Sequence, residues 1–270
     1  MSTPFTSELV VRLLAFAGVF VVMATFEALA PRRERRTDKA TRWVTNLSIV
    51  GIDVLTVRIM ALLPGPVVAT AAAVYAEHHG IGLWHWIGWT GAIAVVLSIA
   101  LLDLALWAQH LASHRIGALW RLHRMHHADI DFDVTTALRF HPIEIALSML
   151  WKVACVLALG APPAAVLAFE IILNGCAMFN HANARLPGWL DGPLRMVVVT
   201  PDMHRVHHSI DPREHHTNFG FNLSVWDRVF RTYTPRPAAG HEGMTIGLPD
   251  YQSEAPTRLG WSLKLPFRRD

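Results

Sequence analysis

Charged residues are scarce in this chain. Asp, Glu, Lys and Arg make up 17% of its 270 residues, whereas hydrophobic residues make up 52%. Ordinary soluble domains hold about 25% charged residues, so this composition excludes a typical soluble protein and predicts a membrane protein. The formal net charge of +3 does not indicate nucleic-acid binding, because basic residues of membrane chains mostly face the cytoplasm and the lipid head groups.

Cysteine is nearly absent, and common cofactor and nucleophile motifs are missing as well. Cys155 and Cys176 both lie in or beside one apolar segment, which excludes a disulfide framework and a cysteine-ligated iron–sulfur cluster. No G-x-G-x-x-G follows a predicted strand and no G-x-S-x-G is present. The sequence therefore predicts neither a nicotinamide or flavin site nor a serine-hydrolase nucleophile.

Four apolar segments are long enough to enter a membrane, which a helix crosses in about 20 residues. They span residues 9–30, 47–75, 84–107 and 143–173. The first lacks the basic start and cleavage site of a signal peptide, so we expect it to be retained. Pro64-Gly65-Pro66 interrupts the second. Gly160-Ala161-Pro162-Pro163 divides the last into two arms, which predicts a helical hairpin that enters and leaves on one side.

The distribution of Lys and Arg predicts the orientation. Several basic residues follow the first apolar segment, and none lies between Arg58 and Arg115. They are Arg32, Arg33, Arg35, Arg36, Lys39 and Arg42. By the positive-inside rule, the loop around Glu77 should face away from the cytoplasm, whereas the chain near His110 and after residue 180 should face it.

Histidine is abundant, with 16 residues, and three clusters of it stand out. They are His110 with His114; His123, His126 and His127; and His204, His207 and His208. Spacings of three or four residues place such side chains on one face of a helix, where several imidazoles can converge. Imidazole suits zinc, copper, iron and nickel, and a tetrahedral zinc takes about four ligands. The clusters therefore predict a site for two metals.

These clusters, on a multi-span helical chain, resemble those of the fatty acid hydroxylase and sterol desaturase superfamily. The resemblance covers roughly residues 110–233 and includes flanking strings around the histidines. These are HHAD from His126, TTALRFHP from Thr135, NHAN from Asn180, TPDMH from Thr200 and NFG from Asn218. A single motif would be weak evidence, but the ordered set is specific.

The resemblance implies an integral membrane enzyme that uses a histidine-bound pair of irons, dioxygen and two electrons to hydroxylate or desaturate lipid chains. Carried over by position, the catalytic metal ligands would be His110, His114, His123, His126, His127, His181, His204, His207 and His208. Some members of the family have a further histidine four residues before the position of His181. Ala177 stands there in this chain, so the coordination of one metal stays open.

Two carboxylates are candidates for orienting the ligand rings through hydrogen bonds. Asp103 lies seven residues before His110, two helical turns away on the same face. Asp202 lies beside the third cluster. His141 could contact a ligand, line the substrate pocket or mark a helix boundary before Pro142. The other histidines are predicted to be surface or interfacial residues: His78, His79, His85, His215, His216 and His241.

The predicted fold is all-α, with about four spans including the hairpin. A cytoplasmic histidine-rich helical cap should form from residues 110–128 and the chain after Asn180. The chain should be a single membrane domain over residues 1–270, with the motif core at about 100–235 and an irregular tail at 236–270. A lipid tail would reach the metals through a cleft between the cap and the membrane surface.

The predicted partners are a lipid substrate, the bilayer and an external electron donor, either cytochrome b5-like or a ferredoxin with its reductase. Basic residues at 32–42 and 115–124 could dock an acidic carrier, although membrane orientation explains them more economically. Two other functions stay open. A zinc-dependent membrane hydrolase would need no reductant, and a metal-binding or transport protein would place its ligands near the middle of the spans.

Overall fold

The computed structural model describes residues 4–268, with side chains from residue 8 onward. This part of the chain is helical, and its β-type pairings are isolated bridges, such as the one between Pro31 and Ala184. Eight helices lie between Pro4 and Asn180. They are α1 Pro4–Leu29, α2 Lys39–Met60, α3 Ala69–His79, α4 Leu83–Ile87, α5 Gly91–Arg115, α6 Gly117–His127, α7 Pro142–Leu159 and α8 Pro163–Asn180.

Five of these helices are long and apolar enough to cross a membrane: α1 (from Glu8), α2, α5, α7 and α8. Large hydrophobic side chains are exposed on them, for example Leu14 at 69% and Val96 at 63%, as expected for surfaces that face lipid. The protein is therefore an all-α, multi-pass membrane protein. Counting the two hairpin arms as one unit gives the four membrane units predicted from the sequence.

Local sequence sets the ends of the hairpin formed by α7 and α8. His141 caps α7 by accepting a hydrogen bond from Ile143 N (3.2 Å), and Pro142 follows at the first helical position, where a missing N–H costs nothing. Gly160 ends α7 with φ +66°. Its backbone packs against Gly82, on which a Cβ would overlap the backbone nitrogen of Gly160. Both positions therefore require glycine.

Short helices form a cap over the ends of the membrane helices. Besides α6, they are α9 Gly188–Leu194, α10 Pro201–His207, α11 Pro212–His215, α12 Val225–Val229, α13 Gly240–Gly243 and α14 Leu259–Lys264. The predicted histidine-rich helical cap is thus present. Its location on the cytoplasmic side stays a prediction.

The segment after Pro235 is packed, although the sequence predicts an irregular tail. Leu248 and Leu265 are buried in one cluster with Ile49 of α2 and Met125 of α6. The many Pro and Gly residues do keep its helices to a few residues each. Its widely spaced apolar side chains nevertheless contact distant elements, which a periodicity argument cannot detect.

A buried ion-pair network joins the first turn of α2 to the loop after α6. The Arg42 guanidinium pairs with the carboxylates of Asp129 (2.8 Å) and Asp133 (2.7 Å). Burial alone would raise the pKa of Asp129, but Arg42 lowers it to about 2. Arg124 is also buried and donates to the Leu265 carbonyl (2.9 Å). Arg42 and Arg124 therefore cannot dock an electron carrier, and that prediction was wrong for both.

Candidate metal centre

The candidate ligands come from four elements that meet where the membrane helices enter the cap. The last two turns of α5 supply His110 and His114, and α6 supplies His123, His126 and His127. His181 is the C-cap of α8, and α10 with its C-cap supplies His204, His207 and His208. Spacings of three and four keep each set on one helical face, so all four elements direct imidazoles to one place.

The nine imidazoles form two groups, and within each group the possible ligand nitrogens all lie within 4.8 Å of one another. The five-histidine group contains His110, His114, His123, His127 and His207. The four-histidine group contains His126, His181, His204 and His208. The groups are adjacent, because the rings of His127 and His208 stack with centroids 4.6 Å apart. The structure thus brings all nine candidates together in two neighbouring sets.

In the five-histidine group, hydrogen bonds at Nδ1 leave Nε2 unengaged. Nδ1 of His110 lies 2.8 Å from the Phe219 carbonyl, and Nδ1 of His207 lies 2.7 Å from the Thr217 carbonyl. A backbone carbonyl can only accept, so each Nδ1 donates and each Nε2 keeps a lone pair. These two Nε2 atoms are buried and have no hydrogen-bond partner among the described residues. Two such orphaned nitrogens fit the role of metal ligands.

The four-histidine group converges even more closely. Nε2 of His181 lies 3.2 Å from Nε2 of His126 and 3.1 Å from Nε2 of His204. Nδ1 of His181 donates to the Ala177 carbonyl (2.8 Å), which leaves its Nε2 as an acceptor. Two nitrogens bound tetrahedrally to one ion at about 2.0–2.1 Å would lie roughly 3.3 Å apart. The observed spacing matches that expected for ligands around one ion.

The environment keeps these rings neutral. Burial lowers the pKa of His204 and His208 well below the ordinary value of 6.5, and neighbouring histidines lower both further. Burial likewise lowers the pKa of His181 to about 3. A neutral imidazole can donate a lone pair to a metal, whereas a protonated one cannot.

Glu144 orients a candidate ligand, and sequence reasoning missed it. Its Oε1 accepts a hydrogen bond from Nδ1 of His123 (2.7 Å). Its Oε2 is buried and has no hydrogen-bond partner within residues 8–268. A carboxylate in the first turn of an apolar helix was the available signal, since charge inside a membrane segment is costly and usually functional.

Asp103 does not contact any candidate ligand in the part of the chain that the structure describes. It accepts hydrogen bonds from Leu223 N (3.1 Å) and from Nε1 of Trp226 (2.8 Å). Seven residues of helix separate it from His110 by about 10 Å, which is too far for a direct hydrogen bond. Asp103 instead holds the loop before α12, and the prediction that it orients a ring was wrong.

Asp202 is also engaged elsewhere. It pairs with Arg205 and with Nε of Arg32 (3.2 Å), and Nε2 of His241 lies 3.5 Å from its Oδ2. The predicted role of Asp202 in orienting ligands is therefore not seen. His241, predicted to be a surface residue, belongs to this cluster of charges in the cap.

The remaining histidines differ in their surroundings. His141 is the N-cap of α7, which decides among its three predicted roles in favour of the helix boundary. His215 is buried and stacks on Trp120 with centroids 5.7 Å apart, and Nδ1 of His216 lies 3.3 Å from Nδ1 of His114. The surface prediction was wrong for His215. His78, His79 and His85 are exposed, as predicted.

A cavity of about 1200 Å³ leads from the metal centre into the membrane helices. His110 and His123 line one end, and apolar side chains such as Leu106, Phe140 and Phe221 line the wall beside them. A cleft between the cap and the membrane surface was predicted. The cavity instead lies among the membrane helices, because α1, α2 and α3 close around the hairpin and α5.

Residues 95–232 match the fatty acid hydroxylase family. The chain belongs to this family. It is 31% identical over 159 residues to an ornithine lipid hydroxylase of Rhizobium tropici, a match that covers 58% of this chain and 47% of that protein. It is 33% identical over 143 residues to the alkylglycerol monooxygenase of Xenopus tropicalis, covering 53% of this chain and 31% of the relative.

The human alkylglycerol monooxygenase is 30% identical over 146 residues, which cover 54% of this chain and 31% of the human protein. The matches therefore span less than half the length of these relatives. No solved structure matches the chain.

In this member of the fatty acid hydroxylase family, Ala177 lies one helical turn before His181 and lines the cavity. A residue at this position can face both the four-histidine group and a bound substrate.

Proposed function

We propose that this protein is a membrane-bound di-iron oxygenase that hydroxylates a lipid. The main support is the position of nine buried imidazoles, in two adjacent groups, at the end of a largely apolar cavity inside the membrane helices. Family membership and the names of the relatives agree with this activity. Desaturation is the closest variant, because both reactions begin by removing hydrogen from an unactivated carbon.

The five-histidine and four-histidine groups would each hold one iron. With dioxygen and two external electrons, the irons would supply the oxidising power that side chains lack. The protein contributes position and environment. Carbonyls of Phe219 and Thr217 fix ring orientations, Glu144 orients His123, and burial keeps the rings neutral. Ala177 has no ligand atom in its side chain, so the smaller group would hold its iron through its four imidazoles.

The cavity would hold the lipid chain. Its lining near His110 consists mainly of aromatic and aliphatic side chains, which exclude water and favour a hydrocarbon tail. The tail can thus reach the metals without entering water. A polar or charged group placed in the apolar part of the cavity, beside His110, would lose its hydration without compensation.

Electrons would come from a separate cytochrome b5-like or ferredoxin-type protein on the cytoplasmic side. The sequence has no flavin or nicotinamide motif, and the two cysteines are not paired. Arg115 and Arg121 remain exposed on the cap and could contact an acidic carrier. The zinc hydrolase and the transport protein are not favoured, because the site lies at the ends of the spans and the family is one of hydroxylases.

A labelled-oxygen assay tests the proposal. Purified protein loaded anaerobically with ferrous iron is given a long-chain lipid, an electron donor and isotope-labelled dioxygen. We expect product that contains labelled oxygen and forms only when donor and dioxygen are both present. Turnover without reductant, giving a product whose new oxygen comes from water and carries no label, would show a hydrolase and overturn the proposal.

A further inference from the structure

An ion cluster lies in the wall of the same cavity, away from the histidines. Arg12 of α1 pairs through its guanidinium with Glu170 of α8 (2.7 Å) and with Glu8 (2.9 Å). Lys152 of α7 pairs with the other oxygen of Glu170 (2.7 Å), and Arg12 also donates to Thr70 of α3 (3.1 Å). All five side chains line the cavity.

Two members of the cluster lie in the middle of membrane helices. Lys152 is near the centre of α7, and Glu170 is near the centre of α8. Charged residues at such depths are costly and mostly serve function. An ion-pair network whose role was only to join helices would add little stability here, because desolvation of the charges offsets most of their attraction.

The charges and donors in the cluster indicate what it can bind. Two cations and two anions cancel, so an anionic or cationic head group would leave one charge uncompensated. Lys152 has three N–H donors and uses one on Glu170 among the described residues. Adjacent donors and carboxylate acceptors suit hydroxyl groups, which both donate and accept. The cluster therefore suits an uncharged lipid head group that carries several hydroxyls.

The cluster and the metal centre are separated by a fixed length of helix. Glu144, which contacts His123, and Lys152 both line the cavity and are eight residues apart on α7. That separation corresponds to about 12 Å. Phe16 and Leu173 are among the apolar side chains that line the same cavity. A lipid head at the cluster would leave its chain directed toward the histidines.

We propose that Arg12, Thr70, Lys152 and Glu170 form a head-group subsite for an uncharged, hydroxyl-bearing lipid. This inference rests on the proposed function and deepens it. A head held at a fixed distance from the metals would select one carbon, counted from the head, for oxidation. Lengthening the tail would then leave the oxidised position unchanged.

Binding without turnover tests the subsite separately from the reaction. An alkylglycerol, a fatty acid and an alkane of equal chain length are titrated anaerobically against the purified full chain. We expect the alkylglycerol to bind best. Lys152→Met should weaken alkylglycerol binding by about tenfold or more, since hydrogen bonds to charged groups contribute on this scale, and should leave alkane binding unchanged.

Matched variants separate binding from structural support. Lys264→Met makes the same change at an exposed position outside the cavity and should have no effect, and Lys152→Arg should retain the preference. Thr70→Val supplies a second, milder loss in case Lys152→Met folds poorly. Preference for the fatty acid, or an equal loss for alkane and alkylglycerol, would overturn the subsite. Head-dependent binding without any oxygenation would overturn only the proposed function.

Discussion

At the residue scale, the metal centre depends on which nitrogen of each imidazole is engaged. Backbone carbonyls accept from Nδ1 of His110, His181 and His207, and the Glu144 carboxylate accepts from His123. These contacts fix the ring orientation before any metal binds and leave Nε2 as the donor atom. Preorganised ligands of this kind bind metal without further cost of ordering.

Loss of the Glu144 carboxylate should weaken the centre without abolishing it. Glu144→Ala leaves Nδ1–H of His123 buried without its acceptor, and such changes typically cost 10- to 100-fold in metal affinity or activity. Glu144→Gln keeps an acceptor and should cost less. Metal titration of the purified variants measures the effect. Asp103→Asn is the matched control and should leave metal affinity nearly unchanged. An equal loss of metal affinity in the Glu144 and Asp103 variants would contradict a specific role of Glu144 at the metal centre.

Acid should destabilise the metal-free protein. The pKa of His181 is about 3 in the folded chain, against an ordinary 6.5. Above pH 6.5 His181 is therefore neutral in both the folded and the unfolded chain, and it does not change the free energy of unfolding. As the pH falls below 6.5 the unfolded chain binds protons first, and the free energy of unfolding decreases until about pH 3. The midpoint of thermal unfolding should therefore decrease as the pH is lowered from about 7 to about 4. A constant midpoint would contradict burial of neutral rings.

At the scale of the elements, the hairpin turn and the start of α4 depend on close backbone contact. Gly88 has φ +71° and ψ +22°, the left-handed helical conformation, in which alanine is strained by roughly 1–2 kcal/mol. Gly82 has φ +101° and ψ +170°, a conformation that essentially only glycine adopts. A Cβ at Gly82 also overlaps Gly160, whereas one at Gly88 meets no described atom within 4 Å.

Gly82→Ala should therefore lower thermal stability more than Gly88→Ala. The second variant shows the cost of a left-handed backbone alone, and the difference between the two reports the steric overlap together with the greater backbone strain at Gly82. Thermal unfolding of both proteins in the same detergent provides the measurement. Equal midpoints would mean that α4 does not pack against the hairpin turn in this way.

Sequence patterns predict these elements well and their distant contacts poorly. Apolar length finds the spans, and Gly160 with two prolines finds the hairpin. His spacing finds three of the ligand-bearing elements, and the family resemblance adds His181 of the fourth. The contact between Glu144 and His123 joins residues 21 positions apart across a turn, and the packing of Leu265 joins the tail to α2 and α6. Neither has a local periodic signal.

At the scale of the whole molecule, the predicted orientation puts the cap in the cytoplasm. His79 and Arg121 are both exposed and lie at opposite ends of the membrane helices. A membrane-impermeant thiol reagent applied to intact cells should label His79→Cys and not Arg121→Cys. The native chain, with Cys155 and Cys176 half-buried, gives the background. Labelling of Arg121→Cys alone would reverse the orientation.

Iron content, measured together with turnover, tests the di-metal site most directly. Anaerobically prepared protein should hold about two irons per chain. His207→Ala and His126→Ala each remove a ligand from a different group and should lower iron content and abolish oxygen-dependent turnover, while the protein stays membrane-inserted. His85→Ala, at an exposed position that does not line the cavity, should change neither. Full iron and full turnover in both ligand variants, or a native protein active with one zinc and no iron, would contradict the account.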